Sequence, residues 1–387
     1  MTIDSEANEL PDSNEQFAAR RLAELPFITA HRLRLLLSHG RPSEVAHGLR
    51  DGFITPTATL KTLLAFRPTN ANGRTLAELW RENLRASSAS PTPPVDVDVR
   101  VRGLPGYPEC LVDDPAAPAV LFSRGNVAAL SARRVAIVGT RNATEHGRGA
   151  ARRFGSELCE AGVSVISGLA RGIDAAAHRG VFESAGDGRA VGVVASGLDV
   201  VYPPEHHQLW EAVSERGFLC TESPPGTAPE PFRFPMRNRI IAGLSEIVLV
   251  VESRLEGGSL ITVREALSRG VTVMAVPGTT TTRASQGTNM LLRDGALVAI
   301  DTDDVLMALG LDHRRSTGRF DPRIPPTDFD ARVLGLFAAD PLTLDDISSL
   351  AQQSFGASFG STAVSLGRLQ AAGWLMCTGG WFERVMT

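Results

Sequence analysis

Lysine is almost absent from this chain of 387 residues: Lys61 is the only one, and the other 38 of its 39 basic residues are arginine. The skew reads as the mark of a GC-rich coding sequence, so each arginine has to be judged by its position. A net charge of -4 argues against a protein that coats nucleic acid over its whole surface, though it leaves room for one local basic pocket. The four cysteines, Cys110, Cys159, Cys220 and Cys377, form no C-x-x-C pair and have no histidine at ligand spacing. Neither a disulfide framework nor a metal site is expected. No apolar run approaches the roughly 18 residues of a membrane span, and the opening MTIDSEANELPDSNEQ is acidic and polar, unlike a secretory signal. A soluble, cytoplasmic protein is the expectation.

Catalytic motifs are missing too. There is no G-x-x-x-x-G-K-[ST], no nucleophile elbow, no H-E-x-x-H and no obvious carboxylate pair. Glu205, Glu222, Glu252 and Glu265 fall near expected strand ends, where helix caps and arginine partners are the usual fate of a glutamate. No catalytic residue and no cofactor are assigned.

What is present falls into three segments. Residues 1–85 read as helical, with apolar residues at helical spacing in RRLAELPFITAHRLRLLLSHG and a break at DGFITPTATL. A Ser- and Pro-rich linker covers 86–98, and a second, charged and Pro-bearing, covers 311–328. Between them, residues 99–310 alternate short β-branched runs (RRVAIVG, GVSVISG, AVGVVAS, FLCTE, EIVLVVE, VTVMAVPG, ALVAI) with mixed stretches. Near-continuous apolar runs suit strands buried on both faces. The fold class expected is α/β, a Rossmann-like doubly wound, mostly parallel sheet with a helical N-terminal region. Residues 329–387 read as a winged-helix module: helices at DARVLGLFAA, TLDDISSLAQQ and STAVSLGRLQAAG, then a hairpin around Gly379-Gly380. Its third helix carries one cation, Arg368. That is thin for a groove reader, so a protein contact or plain packing is at least as well supported.

Four loops join strands to helices with glycine and polar or cationic residues, at the sheet edge where open α/β sheets bind ligands. In VGTRNATEHG, Gly139, Thr140 and Arg141 precede a helix start, and Arg141 stands where a dinucleotide fingerprint needs its second glycine. In SGLARGIDAAAH, Ser167, Gly168, Arg171 and Gly172 end a strand. Asp174 reads there as the N-cap of a helix through His178, in a structural rather than a general-base role. In FPMRNRIIAGLS, Pro235 suits the first helical position, which puts Arg237 and Asn238 in the first turn, where an anion would meet guanidinium, amide and free backbone N–H together. Arg239 lies about 200° around the helix from Arg237 and is read as a structural partner or a contact to a neighbouring phosphate. In ESRLEGGSLITVREAL, Gly258, Ser259 and Thr262 open another helix, with Gly287 and Asn289 as further rim candidates. Four such loops on one edge point to a polyanion or nucleotide pocket.

Taken together, VAIVGTRNAT, SGLARGIDAAAH, GLDVVYPPEH, FPMRNRIIAGLS, GGSLITVREAL and VPG followed by QGTNMLLRDGA resemble, in order, the motifs of the DNA-processing protein A (DprA/Smf) family. The resemblance covers about residues 100 to 308 and implies a non-enzymatic protein that binds single-stranded DNA, forms a homodimer and loads RecA recombinase in natural transformation. It carries the DNA site onto Gly139, Thr140, Arg141, Ser167, Gly168, Arg171, Phe234, Arg237, Asn238, Arg239, Gly258, Ser259 and Thr262, with Gly172 alongside. Phe234 is placed to stack on a base. The chain departs from the family pattern at Leu25-Pro26-Phe27-Ile28-Thr29, where the usual hairpin glycines are missing, and at Ser196, where a cysteine is common. Two other readings stand beside it. Gly257-Gly258 and Thr262-x-x-Glu265 loosely resemble a nucleoside-monophosphate phosphoribohydrolase loop, and the C-terminal module suits a transcription regulator.

Overall fold

The structure, a computed structural model, describes residues 13–86, 97–311, 326–337 and 341–385. The acidic opening and most of both expected linkers lie outside these residues. The chain divides into two compact units, Met1–His313 and Arg314–Thr387.

The first unit begins with five helices: α1 (Ser13–Ala23), α2 (Ala30–Leu37), α3 (Pro42–Asp51), α4 (Ala58–Ala65) and α5 (Leu76–Ala86). The expected break at DGFITP separates α3 from α4. Thr29 and Thr57 cap α2 and α4 by accepting backbone N–H groups. Trp80 and Leu76 of α5 are fully buried, and the Trp80 indole N–H donates to Pro26 O at 2.8 Å.

A nine-stranded sheet follows, built from β1 (Asp98–Val101), β2 (Val120–Gly125), β3 (Arg134–Val138), β4 (Ser164–Ser167), β5 (Ala190–Val193), β6 (Phe218–Thr221), β7 (Ile247–Val250), β8 (Thr272–Ala275) and β9 (Leu297–Val298). The spatial order is β1-β2-β6-β5-β4-β3-β7-β8-β9, parallel from β6 to β9 and antiparallel at β1–β2 and β2–β6. All seven expected strands are present, the last cut to two residues. The two antiparallel strands, β1 at the edge and β2 inside it, are additional to them. Interposed helices are α6 (Glu145–Glu160), α7 (Ile173–Glu183), α8 (His207–Arg216), α9 (Arg233–Leu244), α10 (Ser259–Leu267), α11 (Gln286–Arg293) and, after β9, α12 (Thr302–Ala308).

The strand alternation sorts the core into two layers. Val135, Ile137, Ile247 and Leu249 join one core with α6, α7, α8 and the N-terminal helices. Ala136, Val138, Val248 and Val250 join the other with α9 and α10. On the first face α6 and α7 are unusually close. A Cβ on Gly155 would lie 2.1 Å from Ala177 O, and one on Gly180 would lie 1.9 Å from Arg152 O.

In the second unit, α13 (Asp328–Leu334), α14 (Leu344–Phe355) and α15 (Phe359–Ala371) pack on a three-stranded antiparallel sheet, β10 (Leu342–Thr343), β12 (Trp381–Arg384) and β11 (Leu375–Thr378) in that order. Asp330 is buried at its heart and accepts from Ser365 Oγ at 2.6 Å, Thr327 Oγ1 at 2.7 Å and Arg368 Nη2 at 2.7 Å. Burial alone would raise its carboxyl, but the donors from Arg368, Ser365 and Thr327 outweigh it and hold the group at about 2. Arg368, the one cation of the third helix, is thereby tied into the fold.

Two tests follow from this packing. Gly180→Ala should lower the urea midpoint by the equivalent of about 1–3 kcal/mol at unchanged m, despite the better helix propensity of alanine; an unshifted midpoint would contradict the close helix contact. Asp330 is held below its unfolded value, so its stabilisation is present above the ordinary carboxylate range and is lost as pH falls towards about 2. Wild type should therefore lose stability in the second unit across that acid window, and Asp330→Asn should flatten the loss.

Candidate nucleic-acid interface

The site forms where the sheet changes winding direction. From β3 the chain runs outward through α6 to β4, β5 and β6, then returns through α9 to β7 on the other side of β3. The loops after β3 and β7 therefore diverge at their carboxyl ends and leave a crevice. A cleft of about 760 Å³ occupies it, walled by Thr140 and Arg141 after β3, Phe234, Arg237 and Asn238 of α9, and the Arg254–Thr262 turn. A narrower recess opens beside it, bounded by Arg141, Arg171, Tyr202, Phe234 and Arg237.

Arg237 holds the floor together. Its guanidinium is buried and donates through Nη1 to Gly168 O at 2.8 Å and to Val193 O, and through Nε to Asn238 Oδ1 at 3.1 Å. One side chain of α9 thus ties the ends of β4 and β5. Only glycine fits at 168, since a Cβ there would meet Arg237 Nη1 at 2.0 Å. Burial pulls the Arg237 guanidinium down to about 10, with Asp174 holding it up and Arg141 pushing it further down. It remains a cation at neutral pH. Asp174, buried as well, accepts from Gly168 N–H at 3.1 Å; burial raises its carboxyl against the pull of Arg237.

The exposed part of the cleft is different. The Arg141 guanidinium lies 4.6 Å from the centre of the Phe234 ring, which also meets Tyr202 at 5.5 Å between centroids. Arg141 and Arg254 line the cleft with no carboxylate partner among the described residues. Arg171, exposed, pairs with Glu205.

Several expectations need correcting. The helix of FPMRNR starts at Arg233, two residues before Pro235, so Arg237 and Asn238 fall in the second turn and not among the free N–H groups. Proline is tolerated there because first-turn N–H groups have no helical acceptor to lose. The α6 start is not free for a ligand phosphate. The Glu252 carboxylate already fills it, accepting from Thr144 N–H at 2.9 Å and Thr144 Oγ1 at 2.5 Å. Ser167 is fully buried and donates to Ile137 O at 2.6 Å. Gly172 serves the turn into α7, with φ of 76° and no room for a Cβ against Thr140 O at 2.4 Å. It is itself the N-cap, so Asp174 lies inside the helix. Arg239, expected either as a structural partner or as a contact to a neighbouring phosphate, turns away from the cleft to Glu222 and to Ala116 O at 2.5 Å. Gly287 and Asn289 serve neighbouring backbone, donating to Ser253 O and bridging Gly278.

The cleft therefore unites Gly139, Thr140, Arg141, Phe234, Arg237, Asn238, Gly258, Ser259 and Thr262, with Gly168 and Arg171 on the adjoining recess. Tyr202 and Pro229 line it as well and were not singled out. The YPP of GLDVVYPPEH was the available signal for Tyr202, and Pro229 gave none. The four glutamates near strand ends are all engaged: Glu205 with Arg171, Glu222 with Arg239, Glu265 with Arg269, and Glu252 as a cap.

Comparison with known proteins matches residues 99–310 to the family of DNA recombination-mediator protein A. DNA processing protein DprA of Bacillus subtilis is 40% identical over 204 residues, covering 52% of this chain and 68% of that one. Protein Smf of Escherichia coli is 38% identical over 201 residues, 52% of this chain and 53% of its own length. The chain thus spans about half of some relatives and two thirds of others. The X-ray structure of DNA processing protein A from Streptococcus pneumoniae superposes with a TM-score of 0.61 at 27% identity, over 76% of this chain and 98% of that one. That of Helicobacter pylori, described for its single-stranded DNA binding mode, gives 0.51 at 24% identity over 57% and 98%.

The buried strut and the exposed cation should separate in stability. Arg237→Ala strands two buried carbonyls and removes the cation beside Asp174, and is expected to cost about 2–4 kcal/mol in denaturant unfolding. Arg141→Ala should stay within about 0.5 kcal/mol of wild type. Equal stability of the two variants would contradict the strut.

Proposed function

The chain belongs to the DNA recombination-mediator protein A family, and from that premise we propose that it is a non-catalytic protein that binds single-stranded DNA in the cleft at the β3/β7 crevice. The observation that carries the reading is the pairing of Arg141 with Phe234 at the mouth of a cleft whose other exposed arginine, Arg254, has no carboxylate partner among the described residues. A guanidinium supplies charge-assisted hydrogen bonds to a phosphodiester. An aromatic face beside it suits an unpaired base, which a duplex does not offer. Because Arg141 covers the Phe234 ring in the free protein, it has to swing off the ring as a base stacks, and the same movement delivers it to the backbone. Asn238, Gly258, Ser259 and Thr262 line the opposite wall.

The carboxylates support the non-catalytic part. Asp174 and Glu252 spend their oxygens on backbone N–H groups and a cap. Glu265, which a phosphoribohydrolase-like loop would need in the cleft, pairs instead with Arg269 beside Cys110 and Arg134.

The fuller reading follows the family. Residues 99–310 form the DNA-binding domain, acting as a homodimer in the cytoplasm, with RecA recombinase as the partner to which bound strand is handed during transformation. Residues 1–85 form a helical domain and residues 329–387 a winged helix, joined through 86–98 and 311–328. No helix among the described residues is long and apolar enough to cross a membrane. The engagement of Arg368 by Asp330 weighs against the third C-terminal helix as a reader of duplex DNA.

Single-stranded and duplex DNA of one length, titrated across a salt series, test the proposal. Wild type should prefer the single strand, and Arg141→Ala should weaken it about tenfold while lowering the slope of log K against log salt by about 0.7. Equal affinity for duplex, or an Arg141→Ala variant that binds like wild type, would overturn the assignment.

A further inference from the structure

Behind α9, on the side away from Arg237, a second group of arginines gathers without enough carboxylate to match. Arg34 of α2 donates to Pro115 O at 2.7 Å and to Ala116 O at 3.4 Å. Arg239 of α9 donates to the same Ala116 O at 2.5 Å and pairs with Glu222. Arg102, after β1, donates to Val112 O. Three guanidinium groups from three separate elements thus bracket one loop, and among the described residues only Arg239 has a carboxylate in ion-pair contact, Glu222, since nearby Asp114 pairs with Arg269 at 3.0 Å. The Arg34 Nε–H is buried with no acceptor. Burial, followed by the charges of Arg239 and Arg102, lowers the Arg34 guanidinium, with Glu222 and Asp114 opposing. Such a cluster gains from an anion.

The surface between this cluster and the cleft is also unusual. Phe232, the N-cap of α9, and Met236, three residues before Arg239 on the helix, are 55% and 38% exposed. The Arg233 guanidinium stands 5.0 Å from the Phe232 ring centre and, unlike Arg141, also pairs with a carboxylate, Glu230 at 3.2 Å. Large apolar side chains interleaved with cations are what a single strand needs from a surface.

We infer that the Arg34–Arg102–Arg239 cluster is a second phosphate-binding station, reached by a single strand that leaves the cleft over Phe232 and Met236. The inference rests on the reading of the cleft as the single-strand site. It makes α2 part of the DNA surface and gives the N-terminal helices a role in binding longer strands. Phosphodiester charge supplies what the loop carbonyls cannot, a counter-ion for the two guanidinium groups left over after Glu222 has paired with Arg239.

Fluorescence anisotropy with two oligothymidylates, one of about five nucleotides that fills the cleft alone and one of about fifteen, tests the inference. An Arg34→Gln, Arg102→Gln double variant should bind the longer strand about tenfold more weakly, with a salt slope smaller by about 1.4 as two phosphate contacts are lost. Phe232→Ala, a change at a side chain 55% exposed, should weaken the longer strand about fivefold. Neither variant should change affinity for the short strand. Long-strand binding kept in both variants overturns the inference, including the case in which the double variant only melts earlier, which would make the arginines a structural staple. Equal losses on both lengths overturn it as well, since they would place the effect in the cleft. Wild type that binds neither strand would instead sink the reading of the cleft on which the inference rests.

Discussion

The site depends on one buried cation. Arg237 crosses from α9 beneath the crevice to carbonyls at the ends of β4 and β5, and these bonds offset the desolvation of its charge. Gly168 is there because the guanidinium passes where a Cβ would be. Asp174, set in the first turn of α7, supplies nearby negative charge and holds the Gly168 amide. With that bracket in place, the β4 and β5 ends, α7 and α9 keep a fixed spacing, and the neighbouring loops rest on it. Exposed Arg141 and half-buried Phe234 stand on that fixed frame.

The distribution of acid groups explains why the cleft is basic in a chain of negative net charge. Glu252 occupies the α6 start that would otherwise attract phosphate, Glu205 pairs with Arg171 on the rim, and Glu222 turns Arg239 away. Among the described residues Arg141 and Arg254 line the cleft without a carboxylate in ion-pair contact, with exposed Glu256 on the same rim. Binding potential here comes from which arginines lack a partner, a property of three-dimensional pairing that a count of charges conceals.

Much of this was legible in the sequence. The seven parallel-strand segments announce themselves as β-branched runs, because strands covered on both faces can be apolar throughout. The two antiparallel strands are harder to see: β1 is four residues of alternating DVRV beside a Pro-rich stretch, and β2 hides in PAVLFSRGN. The glycine-bearing loops were found because strand ends and helix starts have a local grammar. What each polar side chain does there was not local. Ser167 carries the same signature as the cleft residues, yet it hydrogen-bonds to Ile137 of the neighbouring strand, and Arg237, which does line the cleft, spends its guanidinium on carbonyls of the floor. The start of α9 was misplaced because Pro235 marks a helix's first turn without fixing which position it takes. The Arg34–Arg102–Arg239 group draws on segments more than 60 residues apart, and no motif connects them.

On the proposed reading, one supported cleft receives a single strand on three loops at once. Amide hydrogen exchange of the full chain, with and without an oligothymidylate, tests it most directly. Ligand should slow exchange together in residues 139–142, 168–171 and 254–258, with the second unit unchanged. Protection confined to the second unit, or to one loop alone, would contradict the account.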